Sequence, residues 1–229
     1  MRSGNTFSVS SEFATEPPRN GTATSTSWGG FVNDGAAQHK IDMDEFSYLS
    51  VLLSVILGLA VTQILKGFRG LVLSRARVRL YWPVIGWAVL VLLVCFQNWW
   101  SMFGMRNRHG WTFLQFAIVL LQTIAIYMVA GLVFPDLFGE EVVDLKENFY
   151  AHRGWFFSLA AAMIVVSICK TVVLDDTLPD PTNLTFHAIF GVTLLLGAFT
   201  GRESYHKTLV VFGIAAFVLY IVLLFAHLQ

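Results

Sequence analysis

Six stretches of 16 to 24 residues contain between them one charged side chain, Lys170, and this spacing fixes most of what the chain can fold into. The stretches are 46–65, 83–103, 111–134, 155–173, 185–200 and 208–228. In hydrocarbon the backbone must satisfy its own hydrogen bonds, so a crossing segment is either a helix of about 20 apolar residues or a strand of a closed barrel. These runs are apolar on consecutive positions rather than on alternate ones, which predicts helices. The fold class expected is all-α, an integral membrane bundle of six transmembrane helices.

Composition agrees, since charged residues are 13% of the chain and hydrophobic ones 55%. A soluble domain carries about a quarter of its residues as Asp, Glu, Lys and Arg. Fifteen basic side chains balance fifteen acidic ones, so nothing in the charge balance points to nucleic acid. The lipid bilayer is the expected partner. Cys95 and Cys169 lie inside apolar runs without a CxxC or His–Cys spacing, and read as packing residues.

Residues 1–42 are rich in Ser, Thr, Gly, Asn and Pro and hold no apolar core of a signal peptide. They are expected to be a disordered polar tail. The abrupt change at Met43 suggests that the natural chain starts there. Between the third and fourth runs, residues 136–153 interleave Glu140, Glu141, Asp144, Lys146 and Glu147 with Val142, Val143, Leu145 and Phe149. The pattern predicts one amphipathic connecting helix.

Lys and Arg in short loops resist translocation, so their distribution orients a bundle. One set of loops and helix ends holds nine of them, Lys66, Arg69, Arg75, Arg77, Arg79, Lys146, Arg153, Arg202 and Lys207, and the other holds three, Arg106, Arg108 and Lys170. Both termini are therefore expected outside, in a cell membrane of bacterial inner-membrane type. The first five of the nine alternate with apolar residues between Lys66 and Tyr81. They are the expected contact for anionic lipid headgroups, beyond their plain role in setting topology.

Polar groups inside lipid are costly and tend to face a partner or a cavity. Ser47, Ser50, Ser54, Gly58 and Thr62 share one face of the first run, a small-residue seam for close helix approach and for possible homo- or hetero-oligomers. Gln97 and Asn98 in the second run and Gln115 and Gln122 in the third fall at comparable depths on antiparallel neighbours. They read as an interhelical amide ladder, with a polar substrate site as the alternative. Trp99, Trp100 and Trp111 suit an aromatic belt. Lys170 reads as snorkelling to the interface or pairing with Asp175 and Asp176, with a substrate role as the minority reading.

His109, His187 and His227 lie toward the same end of three different runs, where imidazoles from separate helices can hold haem or a metal. No HxxxH or HExxH accompanies them, and interfacial histidines without any cofactor are the simpler expectation. The chain has no P-loop, no GxSxG and no TVGYG, and its Asn20 and Asn183 sequons are short enough to occur by chance. No run carries Asp or Glu near its centre, which counts against proton-coupled transport. The expected function is thus non-enzymatic, an accessory subunit, sensor or small-solute permease. The alternative is a membrane oxidoreductase using the histidines.

Overall fold

The computed structural model describes residues 45–135 and 142–226, excepting the side chains of Arg75 and of residues 223–226. The expected polar tail, the acidic residues 136–141 and His227 lie outside the described residues. Six helices are long and apolar enough to cross a membrane. They are α1 (Glu45–Leu73), α2 (Trp82–Met102), α3 (Phe113–Val133), α4 (Leu145–Asp175), α5 (Pro181–Phe199) and α6 (Glu203–Ala226). They alternate in direction. One end of the bundle gathers the start of α1, the α2–α3 turn and the acidic α4–α5 turn, and the other gathers the basic segment and the starts of α4 and α6.

Local signals set the starts. Pro83 and Pro181 occupy first-turn positions, where a missing N–H costs nothing. Thr112 and Gln115 form a reciprocal capping box at α3, and Asp180 accepts from the N–H groups of Thr182 and Asn183 at α5. At α4 the Asp144 carboxylate accepts from the Lys146 and Glu147 N–H groups at 2.9 and 3.2 Å. Val78–Arg79 and Val143–Asp144 pair as a two-residue parallel bridge beside it.

Two boundaries differ from the sequence reading. The expected connecting helix and the fourth span are one continuous α4, which runs through Gly154 without a break. A helical glycine costs about 1 kcal/mol relative to alanine, which the packing of Leu145 and Phe149 on one side and Phe156 and Phe157 on the other outweighs. The first helix likewise continues past Leu65, so Lys66 and Arg69 belong to its last turns, Arg75 and Arg77 to a 3₁₀ turn, and Arg79 to the bridge. Lys66, Arg69, Arg77 and Arg79 are exposed, and Arg79 lies 3.7 Å from Asp144.

In α1 the inward stripe is Leu49, Leu53, Leu57, Ala60 and Ile64, spaced as one helical face. Ser54, Gly58 and Thr62 point away from the other five helices, and the two hydroxyls bond back to carbonyls one turn earlier. The small-residue seam is therefore not used for packing within this chain.

The Glu147 N–H, helped by the Lys146 N–H and by Arg79, holds the Asp144 carboxyl below its ordinary range. A group depressed in this way stabilises the fold above the usual carboxylate pKa, near 4, and loses that contribution as pH falls through its lowered value. Asn caps a helix as well as Asp does but carries no charge. The unfolding temperature of Asp144→Asn in detergent should therefore lie below the parent's at neutral pH and converge with it as pH falls below about 4. A gap that persists unchanged into acid would contradict the assignment.

Candidate functional site

Around α5 and α6 the packing is close at the basic end and looser toward the other. Buried residues of α5 are Leu194 and Gly197, both in its second half, and those of α6 among the described side chains are His206, Leu209, Val210 and Gly213, all in its first. On α4 no described residue between Ala161 and Leu174 is buried. Small residues make the close half: Gly197 sits against Leu209 and Phe157, and Gly86 of α2 sits against Val210 of α6. The looser half encloses a cavity of about 290 Å³ among α2, α3, α4, α5 and α6.

Each wall is one helical face. From the closed floor upward α2 contributes Trp87, Leu90, Val91 and Val94, then Gln97, Asn98 and Ser101. On α4 Phe156, Ala160, Met163 and Ile164 give way to Ser167, Lys170 and Thr171. On α5 Leu194 and Phe190 precede His187, Phe186 and Asn183, while α3 adds Gln122 and α6 adds Phe217 and Tyr220. The lower half is apolar, and the half near the acidic turn is polar.

An aromatic plug forms the floor. The rings of Trp87, Phe156 and Phe157 meet edge to face with centroids 5.1 to 5.5 Å apart. Beneath them His206, with no exposed surface, stacks on Phe157 at 5.4 Å and makes a 2.7 Å hydrogen bond through Nε2 to the Thr200 carbonyl. Tyr81 and Tyr150 touch through their hydroxyls, and Lys146 bridges to Glu203 at 2.6 Å, so α2, α4 and α6 are tied below the plug. At the opposite end Arg108 bonds the Asp175 carboxylate and the Leu174 carbonyl, and Glu45 accepts from the Trp111 N–H at 3.0 Å.

Several polar atoms in this wall lack partners. Gln122 is 6% exposed and its Oε1 is buried without a hydrogen bond, as are Asn183 Oδ1 and Trp87 Nε1. A buried amide left unpaired costs about 1–3 kcal/mol, so such groups normally meet water or a ligand. His187 is engaged at both nitrogens, with Asn183 O at 2.8 Å and Ser167 Oγ at 3.2 Å. Lys170 makes no hydrogen bond or ion pair with a described residue, although Asp175 is near enough to act on its charge.

The sequence-derived candidates divide accordingly. Gln97, Asn98 and Gln122 do line one cavity, and His187 joins them. Gln115 does not: it completes the α3 capping box and donates to the Val173 carbonyl at 3.4 Å, so its polarity serves the helix end. His109 is not among the lining residues, and among the described residues no three His, Cys, Asp or Glu side chains come together as a metal site. Lys170, for which a substrate role was the minority expectation, also lines the cavity, together with Ser167, Thr171, Asn183 and Tyr220, which the sequence reading did not place at a site. The signal available for α4 was the spacing of Ser167, Lys170 and Thr171 on one helical face. Comparison with protein-family models, curated proteins and solved structures finds no match to this chain.

Proposed function

We propose that this protein is a non-enzymatic, multi-pass membrane protein that binds a small amphipathic solute in the α2–α6 cavity, and that it acts as a permease or a membrane-embedded sensor. The observation that carries this reading is the group of polar side chains, Gln97, Asn98, Gln122, Ser167 and Asn183, set around one end of a void whose other half is apolar. Ligand sites are typically apolar clefts in which a few placed polar groups fix orientation. The aromatic plug closes the basic end, so solute enters from the end that carries the acidic turn. The bias of Lys and Arg toward the basic end supports a cavity mouth on the outer side of a cell membrane. The exposed Lys66, Arg69, Arg77 and Arg79 then lie at the inner headgroups, where anionic lipids would contact them.

Sided cysteine labelling tests this. In a Cys95→Ala, Cys169→Ala background, Ser167→Cys should react with a membrane-impermeant maleimide added from outside, and much faster than Val165→Cys, which points away from the bundle. Equal and negligible labelling of the two would remove the cavity. Labelling of Ser167→Cys from the inside alone would reverse the orientation while keeping the cavity.

A further inference from the structure

The charge pattern of the cavity identifies the chemistry of its ligand. Among the described lining residues Lys170 is the one side chain with a full charge, and none is Asp, Glu or Arg. Lys170 stands among lining amides and hydroxyls, and Asp175, whose charge acts on it, is already held by Arg108. Asp180, at the same rim, accepts from two N–H groups of α5. No described protein group supplies a counter-charge to this ammonium by contact, so an anion entering the polar half of the cavity would complete it.

We propose, building on the solute-binding reading above, that the cavity takes a single-chain organic monocarboxylate, its carboxylate on Lys170 and its apolar chain directed down to the Trp87–Phe156 floor. A carboxylate suits the site better than a phosphate dianion, because one ammonium balances one charge and the planar guanidinium forks that favour phosphate are missing from the lining. Gln122 on α3 and Gln97 and Asn98 on α2 line the same cavity, and their amide N–H groups are the donors available to the second oxygen.

Dimensions limit the chain. Lys170 and Phe156 are fourteen positions apart on α4, about 21 Å at the helical rise. A volume of 290 Å³ spread over that length is narrow, and at about 30 Å³ per water-sized unit it holds on the order of ten heavy atoms. An unbranched acid of about ten carbons fits both limits, whereas a two-chain phospholipid does not.

Saturable binding of radiolabelled decanoate to the whole protein in lipid nanodiscs, with empty nanodiscs subtracted, provides the test, alongside decanol and decyltrimethylammonium as chain-matched neutral and cationic probes. Decanoate should bind about tenfold or more tightly than decanol, and the cation least. Lys170→Met should lose about tenfold or more in decanoate affinity with decanol binding unchanged, which also shows that the variant is folded. Lys170→Arg should stay within a few-fold of the parent. Decanoate and decanol binding equally, or Lys170→Met leaving decanoate affinity intact, would overturn the anion assignment and leave the cavity standing. Absence of saturable binding for all three probes would overturn the solute-binding reading itself.

Discussion

Replacing Phe157 with Ala should lower the stability of the folded bundle by about 2–3 kcal/mol and loosen the floor of the cavity. Phe157 has no exposed surface, meets Trp87, Phe156 and Phe149 edge to face, and stacks on His206. In a water-soluble core the same truncation costs about 3–5 kcal/mol, part of it the transfer of the ring out of water. In a bilayer the separated helices remain in hydrocarbon, so that part vanishes and the lost van der Waals contacts and the residual void remain. Equilibrium unfolding in mixed micelles measures the loss. The companion variant Phe156→Ala enlarges the cavity directly, since Phe156 lines it. A Phe157→Ala protein as stable as the parent would show that the plug does not hold α4 to α2 and α6.

The second large effect is expected at Gly86, where a methyl group has nowhere to go. An added Cβ would stand 2.3 Å from Val210 Cγ1, on a neighbour that is completely buried and stiff about χ1. Either Val210 takes an unfavourable rotamer or α2 and α6 separate, and overpacking of this kind costs about 1–3 kcal/mol. Gly86→Ala should therefore destabilise by that amount, while Gly86→Ala combined with Val210→Ala should recover most of it, because the second change removes the clashing methyl groups. Unfolding of the four proteins in a double-mutant cycle reads the coupling directly. Additive losses would mean that α2 and α6 do not meet there. Because this contact closes the basic end of the bundle, the cycle also tests the geometry that leaves the other end looser.

How far the residues alone disclosed these features varies from element to element. Pro83, Pro181 and the Thr112–Gln115 box announce helix starts, because capping is settled by groups within one turn of each other. The break expected near Gly154 and the early end of α1 at Leu65 fail for the opposite reason: a change of composition from charged to apolar marks where a helix enters lipid, not where it stops. Glutamines show the same division. Gln115 and Gln122 sit seven residues apart on one face of α3, yet the first is consumed by its own helix end and the second faces the cavity.

What the sequence determined by itself is the number of membrane-spanning helices and their alternation. Both follow from local arithmetic, because each uncharged run must close its own backbone hydrogen bonds over the thickness of hydrocarbon whatever its neighbours do. Only the tertiary structure decided which face of each helix turns inward, and hence that Lys170, Gln122, Asn183 and Tyr220 meet around one void. Lipid is as apolar as the bundle interior, so outward Val51, Val55 and Leu59 look no different along the chain from inward Leu49, Leu53 and Leu57. Packing, through Gly86 and Gly197 at one end and their absence at the other, makes that choice.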